Sequence, residues 1–530
     1  MELLPSAHVD TFCRDHLPPA DQWPELIFEL PELGYPDRLN CATALLDDII
    51  GVHGPDRACL HSPGADTWTY ADVLAAANRI AHALVDDLGI VPGNRVLLRG
   101  PNNPWLTACW FGVLKAGAVA VTTMPLLRAG ELATVHEIAS LDLALVDERF
   151  VEGTADLGVR VVPFGGDAGL AEQLADKPTT HDDVATSSDD VALLAFTSGT
   201  TGRPKATMHF HRDVLAICDT FSRHVLRPTP DDVFTGTPPF AFTFGLGGVL
   251  LFPLHAGAST VLVEKATPTE LAAIIREFGV TTCFTAPTAY KAMLAAGEEL
   301  PSLMAAVSAG EHLPVATWQG FLDATGVRII DGIGATEMLH IFISAAGDDI
   351  VPGSTGRAVP GYVATVLDEH GAEAAPGVPG RLAVKGPTGC RYLSDPRQRV
   401  YVQDGLNVTG DTFTRDADGY FFYQARSDDM IVSSGYNIAA PEVEEALLRH
   451  AEVAECGVVG VPDEARGALV KAYVVLTDAA LASDDKVREL QDFAKAEIAP
   501  YKYPRAIEFV DDLPRTATGK LQRHRLRADD

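Results

Sequence analysis

The sequence predicts an α/β protein in two parts: a large N-terminal part with parallel and mixed sheets, and a small α+β part at the C-terminus. Three observations predict it. The middle of the chain alternates short β-rich runs with helical patterns, the order that builds largely parallel sheets. At 530 residues the chain is too long for a single core. Composition also shifts near residue 426, from turn-rich sequence to a compact mixture of helical and strand patterns.

In chain order, Arg95–Arg99 reads as a strand, Trp105–Ala116 as a helix and Ala118–Thr122 as the next strand. The apolar run Val191–Phe196 reads as another strand. Phe244–Val263 is the most apolar long window. Pro253, His255 and several glycines interrupt it, so a buried strand pair fits it better than a membrane span. Ser259–Val263, Glu270–Phe278 and Thr281–Phe284 repeat the strand–helix–strand order. Gly405–Tyr423, rich in Gly, Asp and aromatics, reads as turns and short strands. Pro441–Arg449 then begins a helix, with proline in its first turn and acidic residues favoured there by the helix dipole. Strands at Glu455–Val461 and Leu469–Leu476 and a helix at Asp485–Glu497 complete the small part. The boundary falls at Ser427/Asp428, separating 1–427 from 428–530, and about a hundred residues suffice for an independent domain.

Hydrophobic residues make up 47% of the chain and charged residues 21%, an ordinary globular balance. The formal net charge of −31 argues against nucleic acid and anionic membranes as partners. An anionic nucleotide must therefore meet a local pocket of positive potential. The eight cysteines, at 13, 41, 59, 109, 218, 283, 390 and 456, form no Cys-x-x-Cys unit, so zinc ribbons and dithiol redox sites are unsupported. The start, Met-Glu-Leu-Leu-Pro-Ser, lacks the basic-then-apolar order of a signal peptide, and a reducing cytoplasm is the expected compartment. No repeat of solenoid period is visible.

Four constellations carry chemistry. Thr197–Lys205 packs four hydroxyls, two glycines and a lysine into nine residues after a strand, the composition of a phosphate grip. It is not a Walker A loop, because Arg203 and Pro204 separate Gly202 from Lys205 and Ala206 follows the lysine. Taken alone, it is also compatible with a Ser/Thr-rich surface turn. In Ile329–Glu337, two glycines permit close approach to a ligand, and Thr336-Glu337 offers a hydroxyl and a carboxylate suited to Mg²⁺. A strand-to-helix turn capped by Thr336 is the alternative. Asp411, in Val408–Asp411, sits at an expected tight turn where it could accept from two ribose hydroxyls, or simply close the turn. Leu513–Lys520 is by composition a basic, turn-rich tail.

Together and in this order, these segments closely resemble the acyl-adenylate-forming superfamily, which includes acyl- and aryl-CoA ligases, nonribosomal adenylation domains and luciferases. The resemblance runs from about residue 40 to 525 and also takes in Arg426–Asp429. It implies an N-terminal domain of several subdomains and a mobile C-terminal domain. It implies that Thr197, Ser198, Gly199, Thr200, Thr201, Gly202 and Lys205 hold the ATP phosphates, with Thr201 and Glu337 beside Mg²⁺ and Thr336 completing the catalytic set. Gly310 and Glu311, with Asp331, Gly332, Ile333 and Gly334, match the adenine side. Ile333 replaces a residue that is usually aromatic. Asp411 and Arg426 match the ribose contacts. Lys520 matches the adenylation lysine, which brings two anions together, and Asp428 the hinge about which the small domain turns between half-reactions. Ser433, Ser434, Gly435 and Tyr436 match the CoA-side loop, where Val432 replaces a frequent lysine.

Within the superfamily, Asp331–Phe342 resembles the benzoate-CoA ligase branch. Pro5–Phe12, Leu17-Pro-Pro and Tyr35–Asn40 resemble 2-aminobenzoate-CoA ligases. The implied acid pocket is Thr243, Phe244, His340 and Ile341, with Phe244 where tyrosine is frequent. His340 is expected to touch the acid, although a lone histidine in an apolar run is more often a core residue. His209 and His211 read as structural or phosphate-side residues, with no nearby acid or cysteine to complete a metal site. The expected reaction uses ATP, Mg²⁺, coenzyme A and an aryl acid. 2-Aminobenzoate is favoured over benzoate, salicylate and other small aryl acids. Delivery to an acyl-carrier protein, a non-catalytic nucleotide-binding regulator and a luciferase-like oxidation are the rivals. A monomer or homodimer is expected.

Overall fold

Strand–helix alternation produces two parallel-rich sheets. The computed structural model describes residues 3–155, 157–166, 169–197, 204–426, 430–433, 436–463, 467–498, 502–515 and 521–528. A six-stranded sheet runs in the order Arg160–Phe164, Leu143–Asp147, Arg95–Arg99, Val119–Thr123, Val191–Thr197, Lys205–Phe210. Its first five strands are parallel and the last closes an antiparallel hairpin. The crossover helix Pro104–Lys115 begins as its sequence dictates. Asn103 accepts from the Leu106 N–H at 2.8 Å and Pro104 occupies the first turn, where no amide hydrogen is needed.

A nine-stranded sheet packs beside it. Its six central strands, Ala58–His61, Ser259–Val261, Val233–Gly236, Thr282–Thr285, Ala305–Ala309 and Ile329–Gly334, are parallel neighbours in that order. Ile341–Ser344 folds back antiparallel on Ile329–Gly334. An apolar core that includes Trp110, Phe111, Phe221, Phe252 and Phe284 joins the two sheets. A third, five-stranded antiparallel sheet contains Val363–Leu367, Gly380–Lys385, Val402–Gln403, Leu406–Arg415 and Phe421–Arg426.

Two expectations are corrected. Phe244–Val263 is not a strand pair: Thr243–Gly245, Leu246–Leu251 and Phe252–His255 form successive helical turns, and only Ser259–Val261 is a strand. A continuous apolar run does not distinguish a buried strand from a buried helix. Gly247 and Gly248 let these turns pack closely. A Cβ on Gly247 would lie 2.4 Å from the His340 ring, and one on Gly248 2.3 Å from Phe284. Gly405–Tyr423 likewise contains a ten-residue strand, Leu406–Arg415, so Asp411 lies within a strand and not at a tight turn. The register shifts between Val408 and Thr412, and Gly410 takes φ +80° there, making a bulge where a turn was expected.

After residue 429, the hairpin Met430–Ser433/Tyr436–Ala439 leads to a three-stranded sheet, Val453–Asp463, Gly467–Leu476 and Ala506–Phe509. Helices Ala440–Leu448 and Asp484–Glu497 cover it around a core with Ile438, Val443, Leu447, Val458 and Leu490. Among the described residues, no strand pairing joins this part to the rest. Side chains do touch across: Lys291 Nζ donates to the Ala454 carbonyl at 2.6 Å, and Arg515 approaches Glu311 at 3.7 Å. All eight cysteines are buried and unbridged, and no described helix is long and apolar enough to cross a membrane.

Candidate active site

The nine-residue phosphate motif bends a strand back on itself. Thr197 pairs with Lys205 as the last rung of an antiparallel pair of strands. Ser198, Gly199, Thr200, Thr201 and Gly202 lie outside the described residues.

Lys205 points into a polar cluster. Its Nζ donates to the Tyr392 hydroxyl at 2.5 Å and lies 3.5 Å from Glu337 Oε1. The Tyr392 hydroxyl in turn donates to Glu337 Oε1, and both side chains are buried. The phenol therefore links an ammonium to a carboxylate where solvent is scarce, and such charge-assisted bonds are stronger than neutral ones. Tyr392 sits on a segment laid along the strand Lys205–Phe210. Met208 N–H donates to the Arg391 carbonyl at 2.8 Å and Leu393 N–H to that of Ala206 at 2.9 Å. Arg391, fully buried, pairs with the fully buried Asp213 and stacks 4.0 Å above the Phe210 ring. Tyr392 escapes a reading of the sequence because it lies 187 residues from Lys205 and 55 from Glu337.

Glu337 stands in the 3₁₀ turn Thr336–Met338, which no Thr336 side chain caps. Instead His209 Nε2 holds the Thr336 carbonyl at 2.8 Å. Burial pushes the His209 imidazole down to about 3, so it is a neutral donor and a structural residue. Glu337 suits Mg²⁺, which typically takes one or two protein carboxylates and completes its shell with phosphate oxygens and water.

On the strand Ile329–Gly334, Asp331 faces Ser308 of the neighbouring strand. Its Oδ1 is closed off from solvent with no hydrogen-bond partner, and desolvation raises its pKa to about 7 against the nearby His312 charge. Gly310, at φ +87°, and Glu311 follow directly on the strand Ala305–Ala309. The glycines of this segment make room within the sheet itself. A Cβ on Gly334 would meet the His340 carbonyl at 2.7 Å, and one on Gly332 the Ile341 side chain at 2.8 Å. They admit the returning strand Ile341–Ser344. Between the strands, buried Leu339 adopts φ +67°, a conformation that costs about 1–3 kcal/mol for a non-glycine residue.

That return places His340 in a cage of rings. Phe252 lies 4.6 Å away centroid to centroid, Phe221 5.5 Å, Phe244 5.8 Å and Phe284 6.4 Å. Burial lowers the His340 pKa to about 3, so the ring is neutral. Nε2 lies 3.4 Å from the Phe244 carbonyl, and Nδ1 is buried with no partner. Thr243 and Phe244, both half-buried, open the helical turns on one side, and Ile341 is buried on the other. Of the four residues expected to form an acid pocket, Phe244 and His340 thus meet in one aromatic cluster with Phe221, Phe252 and Phe284, and Thr243 and Ile341 are their chain neighbours.

Asp411 and Arg426, expected at the ribose, are direct cross-strand partners. Ser433 is buried and pairs with Tyr436 across a hairpin tip, while Ser434 and Gly435 lie outside the described residues. Asp428 and Lys520 also lie outside them.

Residues 51–392 match the AMP-binding enzyme family, and residues 442–520 match the AMP-binding enzyme C-terminal domain. The chain belongs to the AMP-binding enzymes. This AMP-binding enzyme is 34% identical over 518 residues to the benzoate–CoA ligase of Thauera aromatica, covering 94% of its own length and 97% of the relative's. It is 33% identical to the 3-hydroxybenzoate–CoA ligase of Aromatoleum sp. (strain CIB), covering 88% and 92% respectively. Among solved structures it is similar to the anthranilate CoA ligase AuaEII in complex with anthranoyl-AMP. The TM-score is 0.89 at 34% identity, over 94% of this chain and 99% of that one. A benzoate CoA ligase from Burkholderia xenovorans LB400 follows, at TM-score 0.84 and 31% identity over 92% and 100%.

Proposed function

We propose that this AMP-binding enzyme joins an aromatic carboxylic acid, 2-aminobenzoate foremost, to coenzyme A through an acyl-adenylate, releasing AMP and pyrophosphate. The observation that carries the aromatic assignment is the ring cluster around His340, three residues from Glu337. A flat apolar acid suits walls of Phe244, Phe252 and Phe284, and His340 Nδ1 has an unmet hydrogen bond to offer a ring substituent. The anthranilate and benzoate enzymes among the similar proteins support the same reading.

In the first half-reaction, a carboxylate oxygen attacks the ATP α-phosphorus. The bond to the bridging oxygen breaks, and pyrophosphate leaves with its electron pair. Lys205 offsets charge on the phosphates, and Tyr392 holds Lys205 and Glu337 in fixed relation. Glu337 would hold Mg²⁺, which supplies further neutralisation of phosphate charge when bound. By resemblance, Lys520 draws the carboxylate and α-phosphate together, and residues 428–530 then turn about Asp428. In the second half-reaction the CoA sulfur attacks the acyl carbon, AMP leaves as the anion and the thiol proton passes to solvent. Asp411 and Arg426 hold the ribose in this reading, and Ser433–Tyr436 line the thiol's approach.

A screen of AMP release across ring-substituted benzoates, with CoA present, tests the reading. 2-Aminobenzoate should turn over fastest. Faster turnover of aliphatic acids would overturn the aromatic assignment, and transfer only to a carrier-protein thiol would replace CoA as acceptor.

A further inference from the structure

A groove of about 500 Å³ lies in the N-terminal part, built from residues that none of the chemistry above uses. One wall is a single face of the helix Tyr70–His82. Asp72, Ala75, Ala76 and Arg79 recur there at the three- and four-residue spacing that aligns side chains. Ala171 and Leu174, on the short helix Leu170–Leu174, form the opposite wall. Trp68 and Trp105 close one end, edge to face with centroids 5.3 Å apart, both half-buried.

Three features say what the groove takes. The alanines leave space that larger side chains would fill, and the volume falls in the range of roughly 300–1,000 Å³ typical of small-molecule sites. The paired indoles line a concavity with apolar aromatic surface, which a ring enters and a flat protein surface does not. Among the described residues Arg79 makes no ion pair, and its Nε is closed off from solvent with no hydrogen-bond partner. Nearby acids are already committed. Asp72 accepts from the Thr69 N–H at 2.8 Å and its hydroxyl at 2.7 Å, and Asp86 and Asp87 pair with Lys177. Helical side chains lean toward the N-terminus, which carries the Arg79 guanidinium toward the tryptophan end. One guanidinium with no ion-pair partner among the described residues suits a single carboxylate, and the Asp72 charge in the same groove disfavours a polyphosphate.

We propose that this groove is a second binding site, separate from the nucleotide and acid pocket, for a small aromatic monocarboxylate. Its ring packs against Trp68 and Trp105, and its carboxylate is held by Arg79. The site stands on its own residues and does not depend on which acid the enzyme activates.

Equilibrium dialysis with radiolabelled benzoate tests it, on the full chain with and without a saturating non-hydrolysable benzoyl-adenylate analogue. Benzoate binding that persists beside the analogue should weaken by roughly tenfold or more in Arg79→Gln and in the groove-filling Ala75→Phe. Arg79→Lys should retain most of it, and benzamide should compete at least roughly tenfold less well than benzoate. Pyrophosphate exchange and the unfolding midpoint of Arg79→Gln should match the parent. If the analogue fails to displace any benzoate, the active-site reading fails, yet the Arg79-dependent class must still be present. Binding insensitive to both substitutions, equal competition by benzamide, or no Arg79-dependent binding at millimolar benzoate would overturn the proposal. So would an Arg79-dependent, concentration-dependent sedimentation shift, which would assign the groove to a second copy of the chain.

Discussion

On the phosphate side of the site, Lys205, Tyr392 and Glu337 satisfy one another in an unbroken chain of charge-assisted bonds. On the proposed acid side, three residues beyond Glu337, His340 is wrapped in phenylalanine and keeps one nitrogen without a partner. The first arrangement has to hold charge still and gains from rigidity. Under the proposed function the second recognises shape and a single polar group, and an unmet hydrogen bond is how a buried pocket rejects an acid lacking the matching substituent. Substitutions on the phosphate side should therefore affect every acid alike, whereas those on the acid side should re-rank acids.

Lys520→Ala should give the largest effect. Acid-dependent pyrophosphate exchange should fall by roughly 10²–10³ for all acids, while thioester formation from supplied aryl-adenylate continues. Equal loss of both half-reactions would show that one domain pose serves both. Tyr392→Phe should come next. It keeps the buried ring but unlinks Lys205 from Glu337, lowering pyrophosphate exchange by about ten- to a hundredfold and raising the Mg²⁺ concentration needed for half-maximal rate. Re-ranking of acids by this variant would contradict the division between the two sides.

His340→Phe should change overall rate less but compress the preference for 2-aminobenzoate over benzoate by roughly tenfold, read as a ratio of kcat/KM values. An unchanged ratio would remove His340 from recognition. The smallest effect should come from Asp331→Asn, and it should depend on pH. Burial raises the Asp331 pKa from 3.8 to about 7. The unfolded chain therefore ionises first, and the native state loses relative stability as pH climbs from 3.8 to 7, then levels off. The asparagine variant should be more stable than the parent at about pH 8, by on the order of 1–3 kcal/mol, and indistinguishable near pH 3. Thermal unfolding at both values decides it.

Much of this was legible in the sequence because it is local. Strand–helix alternation, the hairpin motif at Thr197–Lys205 and the Thr336-Glu337 pair are written in consecutive residues. Asp411 and Arg426, both expected at the ribose, stand on strands whose register makes them cross-strand partners. Long-range contacts were not legible. Tyr392 meets Lys205 only because its segment lies along the hairpin's second strand, and nothing near residue 392 announces it. The helical turns at Leu246–Leu251 looked like strands because an all-apolar stretch has no period to read. The glycines at 332 and 334 read as demanding space, and the chain's own returning strand takes up space beside both.

That return has a geometrical consequence. Asp331 and Ile333, on one leg, and Ile341, on the other, belong to a single antiparallel ribbon whose rungs include Ile333 with Ile343 and Gly334 with Ile341. If nucleotide and acid are read from opposite legs, their separation is measured in backbone rungs, strands standing about 4.8 Å apart, and not in rotamers. The ribbon works as a gauge block. Exchanging side chains at 340 and 341 changes what fits, whereas lengthening the turn at 335–339 by one residue would change where it sits.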